Sequence, residues 1–141
     1  MRREKSVGAV VYKVENGRIL FLLELMGHGH TSLPKGHMEG KETEVETATR
    51  EILEETDLDV TIDNRFRKEI KYNINKDVVK TVVFFVARYD GHKKPIDIHD
   101  EEVLYSFFMP FEEAFKTLTF DNDKDVLKAA YEYILKNHLI N

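Results

Sequence analysis

The sequence contains no cysteine, which excludes disulfides, thiolate metal sites and a cysteine nucleophile. It also lacks any apolar run near the ~20 residues that a membrane-spanning helix needs. The opening Met1-Arg2-Arg3-Glu4-Lys5 is charged, and the strand-like run after it is broken by Lys13, so no secretory leader is expected. A cytoplasmic protein with no membrane partner is the resulting expectation. Positive charge is scarce as well. Lys and Arg number 21 against 26 Asp and Glu, a net charge of −5, so extended nucleic-acid binding through a basic surface is not expected. Any phosphate ligand must be held locally. Repeats, low-complexity tracts and linkers are absent too. With 42% apolar and 33% charged residues, residues 1–141 are expected to form a single domain with a proper core.

Hydropathy patterning supplies the elements. Residues 6–14 are rich in β-branched side chains, Asn16-Gly17 is a hairpin signal, and residues 18–25 read as the returning strand. A loop follows over residues 26–32. His28 and His30 stand two apart in it, but with no third nitrogen or sulfur ligand nearby they read better as loop or substrate-side residues than as a metal site. Residues 43–56 are expected to be helical, 58–62 a short strand, and 66–74 an alternating strand. The unbroken apolar run Val82 to Ala87, inside a strand over residues 78–89, predicts a central strand covered on both faces. A last strand spans 102–109 and stops at Pro110. A short helix over 111–118 precedes a final helix to Lys136, capped by Asn122 or Asp123, with Val126, Leu127, Ala130, Tyr131 and Ile134 as its buried stripe. The order predicts an α+β fold with helices packed on a sheet.

The chemistry concentrates in residues 33–58. Thr43-x-x-Glu46 is a capping-box pattern. Behind it, Glu51, Glu54 and Glu55 fall at i, i+3 and i+4, so a helix places three carboxylates on one side. Like charges at that spacing repel by a few tenths of a kcal/mol (~0.2–0.5). An acidic helix face is ordinarily just solvated. Here, though, a glycine-bearing basic loop, Lys35-Gly36-His37, leads into the helix. Gly36 and Gly40 allow close backbone approach or positive φ, and Lys35 and His37 carry donors for phosphate oxygens. Hard oxygen donors beside phosphate-binding cations suit Mg²⁺ or Mn²⁺ with a polyphosphate.

These residues resemble a known pattern. Gly36, five residues, Glu42, seven residues, then Arg50-Glu51-Ile52-x-Glu54-Glu55-x-Asp57-Leu58 is similar to the Nudix box of the Nudix hydrolases. Every defined position agrees except Asp57, where the family has glycine. Aspartate tolerates the left-handed conformation that such a position past a helix end requires, at about 1–2 kcal/mol. The resemblance implies the Nudix fold, an α/β/α sandwich around a mixed β-sheet. It implies that Glu51, Glu54, Glu55 and the Gly36 carbonyl hold divalent metal, Mg²⁺ or Mn²⁺, and that a metal-activated water attacks phosphorus. Arg50 takes the place of the arginine that orients a glutamate, with Glu54 or Glu46 as its local partner. The general base varies across the family, and Glu101 and Glu102 are candidates.

Within the family, Leu33-Pro34-Lys35-Gly36-His37 and Leu118 to Lys124 resemble the asymmetrical diadenosine tetraphosphate hydrolases. That likeness implies a small-molecule nucleotide substrate, cleaved to ATP and AMP. Lys35 and His37 would hold the phosphate chain, and Tyr72, Tyr105 or Phe120 would stack on adenine. The alternatives are removal of pyrophosphate from 5′-triphosphorylated RNA, a (d)NTP pyrophosphatase, and a non-catalytic nucleotide-binding module. The last usually loses a box glutamate, and none is lost here.

Overall fold

The computed structural model describes residues 2–95 and 103–140. Its strands are β1 (Arg2–Glu15), β2 (Arg18–Met26), β3 (Thr31–Ser32), β4 (Lys35–His37), β5 (Thr61–Asn75), β6 (Val78–Arg88) and β7 (Val103–Pro110). The helices are α1 (Glu44–Thr56), α2 (Phe111–Thr117) and α3 (Asp121–Lys136). All seven strands join one sheet, ordered β3-β2-β1-β6-β5, with β4 paired to β1 and β7 paired to β2. β1 and β6 run parallel from Arg2 opposite Val78 to Tyr12 opposite Arg88, and the other pairs are antiparallel. The sheet is mixed, as expected.

Asn16 (φ 52°) and Gly17 (φ 77°) take the positive φ values of a type I′-like turn. Beyond it, the hairpin opens. β1 and β2 pair only near the turn, residues 12–15 with 18–21. Farther out β1 pairs with β4 and β2 with β3, so the Thr31–His37 segment bridges the gap between the diverging strands. That gap is where the functional residues gather.

Alternation along the central strands divides the core in two. Val7, Ala9, Val11, Leu22, Val83, Phe85 and Ala87 pack against Ala48 and Ile52 of α1. Val10, Tyr12, Phe21, Leu23, Val82, Phe84 and Val86 pack against Ala114 of α2 and Val126, Leu127, Ala130 and Ile134 of α3. The Val82–Ala87 run is therefore buried on both faces. Tyr131 is only partly buried and stacks on Phe111 at 4.2 Å.

Three expectations need correction. Residues 57–60 form no strand: Leu58 and Val60 are apolar because they fill the core beside α1. The expected strands at 58–62 and 66–74 are one strand, β5, whose register slips between Asp63 (opposite Val86) and Arg67 (opposite Phe85). That bulge resets the alternation and makes one strand read as two. Finally, α3 begins at Asp121 behind Phe120, with no side-chain cap. Asp123 instead turns inward, is 7% exposed, and accepts from the backbone N–H of Leu33. Of the expected last strand, Glu102 lies outside the described residues.

Candidate active site

The capping box at the start of α1 forms as the sequence predicts. Thr43 Oγ1 accepts from the Glu46 backbone N–H at 3.1 Å, and Glu46 Oε1 accepts from the Thr43 N–H at 2.8 Å. Glu46 is thereby committed, and it is not the partner of Arg50. At the other end Asp57 adopts the left-handed conformation (φ 60°, ψ 22°) and its N–H donates to Leu53 O at 2.8 Å. The aspartate substitutes for glycine without unwinding the helix end.

Between these caps, Arg50 organises the box. Its Nε donates to Glu42 Oε2 at 2.6 Å and its Nη2 to Glu42 Oε1 at 3.0 Å, a bidentate pair. It also reaches the His37 carbonyl at 3.0 Å, Glu51 at 2.9 Å and Glu54 at 3.2 Å. The Arg50 guanidinium holds the Glu42 carboxyl well down, to about 2. Glu42 is therefore the main partner, tying α1 to the loop, while Glu54 is a secondary one.

The three helix carboxylates share a side but lie at three depths. Glu54 is at the rim, its side chain 59% exposed; Glu51 is 15% exposed; Glu55 is buried. A Cβ at Gly36 would overlap the Glu51 carboxylate where it now lies, so glycine at this position leaves room for that side chain against β4. Beneath Glu55 lies Glu24 of β2, 1% exposed, a residue that the motif reading missed. The signal was present in the sequence: Glu24 interrupts the apolar run Leu20 to Leu25. Burial, then the hydrogen bond and charge of Glu24, then Glu51, push the Glu55 carboxyl far above the usual carboxylate range.

Among the described residues, no three acidic or histidine side chains converge on one point as they stand, because Arg50 draws Glu51 and Glu54 toward itself. The donor set still fits a divalent cation. It consists of hard oxygens only, and Glu55 Oε2 is buried with no hydrogen-bond partner. An acid in that position is neutral unless a cation offsets its charge.

On the opposite face of the sheet is a cavity of about 420 Å³. Met26, Ile70, Val82 and Phe84 contribute its apolar part, and Tyr72, Phe120, His28, His30, Ser32, Lys35, Asn122 and Asp123 its remaining walls. Tyr72 and Phe120 are 42% and 49% exposed, open aromatic faces rather than core. His30 meets Phe120 edge-on at 4.8 Å and His28 at 4.7 Å, so both histidines belong to the cavity mouth. Tyr105 does not join them: it sits on β7 opposite Leu25. His37 is exposed at the end of β4 and contributes its carbonyl to Arg50. Glu101 and Glu102 lie outside the described residues.

Lys80 was also missed. It faces Tyr72 across β5 and β6, is 6% exposed, and donates to Ser6 Oγ at 2.6 Å. Burial lowers its ammonium pKa; the charge of Glu4 works against that shift and the charge of Lys35 adds to it. Lys35 and Lys80 thus lie on the side of the sheet that carries the cavity, with Asp123 in its wall and Glu4 acting on Lys80. The cavity and the carboxylates meet at β4, where Lys35 lines the first and its neighbour Gly36 abuts Glu51.

A mixed sheet lies between helices, with a carboxylate helix beside a basic glycine loop. The family model for the NUDIX domain matches residues 2–130. The asymmetrical bis(5′-nucleosyl)-tetraphosphatase of Sus scrofa is 32% identical over 130 residues, covering 89% of this chain and 87% of that protein. Its Mus musculus counterpart is 31% identical over the same shares. Among solved structures, a C. elegans Ap4A hydrolase superposes with a TM-score of 0.79 at 25% identity, covering 95% of this chain and 99% of that one. The binary complex of a C. elegans Ap4A hydrolase gives 0.84 at 24% identity, covering 94% and 98%. The chain belongs to the Nudix family. It is a Nudix pyrophosphohydrolase, from a family whose members act on nucleoside polyphosphates and generally use divalent metal.

Proposed function

We propose that the chain hydrolyses diadenosine tetraphosphate asymmetrically, to ATP and AMP, with Mg²⁺ or Mn²⁺ as cofactor. The observation that carries this reading is the junction at β4. An aromatic-walled cavity sized for a nucleoside opens beside Lys35, and the next residue, Gly36, abuts Glu51 of the glutamate cluster on the other face of the sheet. Tyr72 and Phe120 offer stacking faces, each worth about 1–3 kcal/mol for a base. Lys35 and Lys80 neutralise phosphate oxygens, which water does poorly in a partly buried site. Glu51, Glu54 and Glu55, with the Gly36 carbonyl, hold the cation, and Arg50 positions Glu51 and Glu54 for that purpose. Bound there, the divalent ion supplies Lewis-acid stabilisation of the charge that develops on the phosphates. In the overall reaction a water oxygen bonds to phosphorus, one P–O–P link breaks, and the leaving phosphate takes the electron pair. The asymmetrical tetraphosphatases among its relatives support this substrate class.

The test is product analysis by anion exchange after incubation with diadenosine tetraphosphate and Mg²⁺, with 5′-triphosphorylated RNA and dNTPs in parallel. ATP plus AMP formed much faster than any other product is the expected result. Faster pyrophosphate release from RNA, or faster dNTP hydrolysis, would replace the substrate assignment. No turnover of any substrate with either metal would return the chain to a nucleotide-binding role.

A further inference from the structure

Alternation along β2 places Leu22 against α1 and Phe21 and Leu23 against α3, so Glu24 points toward α1. In register beside it stand Ser32 of β3 and Ser106 of β7, one on each flank. Directly opposed strand residues share a face, so the Glu24 carboxylate and the Ser106 hydroxyl form a short row beneath Glu55, while Ser32, on the edge strand, also borders the cavity. All are buried: Glu24 is 1% exposed, Ser32 5%, Ser106 8% and Glu55 9%. An apolar core has no need of such a row, and burying it costs free energy unless its hydrogen bonds are made. Two of these atoms, Glu55 Oε2 and Ser106 Oγ, have no hydrogen-bond partner. Glu24 and Glu55 are hydrogen-bonded to each other across the gap between strand and helix.

We propose that Glu24 is a ligand of the divalent-cation site: with Glu55 it holds one ion at the base of the cluster, where Ser106 Oγ completes the oxygen surroundings. The inference rests on the metal-dependent reading above and extends the site from α1 and β4 to β2. A ligand on β2 makes mechanical sense. Glu51, Glu54 and Glu55 all ride on α1 and Gly36 on the three-residue β4, so Glu24 would tie the ion to a long inner strand as well. Hard cations of this type favour several carboxylate and hydroxyl oxygens around them.

The competing role for Glu24 is a purely structural one, an acid bridging to Glu55. Glu24→Gln separates the two, because glutamine keeps the volume and a hydrogen bond to Glu55 but loses the anion. Mn²⁺ binding to the purified protein without substrate is measured by electron paramagnetic resonance and calorimetry, and Tm is recorded with Mn²⁺ and with chelator. Wild-type Tm is expected to rise with Mn²⁺ as the ion binds only the folded state. Glu24→Gln is expected to keep the Tm in chelator, to lose most of the Mn²⁺-induced rise, and to bind Mn²⁺ at least tenfold more weakly. Glu55→Gln should do the same. The double variant should lose no more than the larger single loss, the signature of two groups acting on one ion. Wild-type Mn²⁺ affinity in Glu24→Gln, or full additivity in the double variant, overturns the proposal. Should Glu24→Gln fail to fold, Glu24→Asp retains the anion, and unchanged Mn²⁺ affinity on shortening that side chain likewise overturns it. None of these readouts depends on which nucleotide is cleaved, so a wrong substrate leaves them intact.

Discussion

Replacing Glu55 by glutamine removes an ionisable group but little volume, and two opposite effects should follow. Turnover should fall by orders of magnitude, since a neutral amide is a poor ligand for a divalent ion; Glu54→Gln should behave alike. Stability in metal-free buffer should not fall. Glu55 has a raised folded-state pKa, caused by burial and then by Glu24. From the unfolded value of about 4.5 upward, the folded state therefore carries a proton that the unfolded state has released, and stability declines as pH rises. Glu55→Gln abolishes that dependence. Denaturant midpoints across neutral pH, in chelator, should be flatter for the variant than for the wild type. A parallel slope in both would place the titrating proton elsewhere. Glu51, Glu54 and Glu55 were legible as a set from spacing alone. Glu24 was not, because motif reading looks along one element, whereas Glu24 meets Glu55 only after β2 and α1 pack together.

The ends of α1 show what a helix needs in order to carry acidic residues. Thr43→Ala removes one half of the capping box and should cost about 1 kcal/mol, read from denaturant midpoints. No change would mean that Glu46 and the loop suffice without the hydroxyl. Asp57→Gly should act in the other direction. The left-handed conformation strains a non-glycine residue by about 1–2 kcal/mol, and the ion pair lost with it, Lys93 to Asp57 at 3.2 Å, is exposed at both ends. Glycine should therefore stabilise the protein by about 1 kcal/mol, and equal or lower stability would show that the Lys93 contact outweighs the strain. At this scale the sequence was informative wherever periodicity ran unbroken, as in α1 and β6. It misled at β5, where a bulge resets the alternation. It was silent on β3 and β4, whose two and three residues are too short for any period. The cap expected from Asp123 failed for a tertiary reason, since Leu33 offers its N–H to that carboxylate.

Across the molecule, two carboxylates fasten elements that are distant in sequence. Glu44, at the start of α1, accepts from Lys5 of β1 at 2.7 Å and from Arg67 of β5 at 2.8 and 2.9 Å. Asp63 of β5 accepts from Arg65 at 2.9 Å and from the Tyr133 hydroxyl of α3 at 2.7 Å. Both carboxyls are held down, each to about 2, Glu44 chiefly by Arg67 and Asp63 chiefly by Arg65. Their contribution has the opposite sign to that of Glu55. A depressed folded-state pKa stabilises fully above the unfolded value and is lost as pH falls toward the folded one. Metal-free protein should thus lose stability on both sides, through Glu44 and Asp63 in acid and through Glu55 toward alkaline pH. Divalent metal should offset the alkaline decline, and because the ion binds ionised carboxylates, the stability it adds should itself fade as pH falls, on top of the loss through Glu44 and Asp63. Glu44→Gln should lower stability at neutral pH and flatten the acid limb between about 4.5 and about 2, the span of its two pKa values. Measured as unfolding midpoint against pH, an acid limb as steep in Glu44→Gln as in the wild type would show that the β1–α1–β5 fastening contributes nothing. The α1 helix would then be held to the sheet by Ala48, Ile52 and the apolar face around them alone.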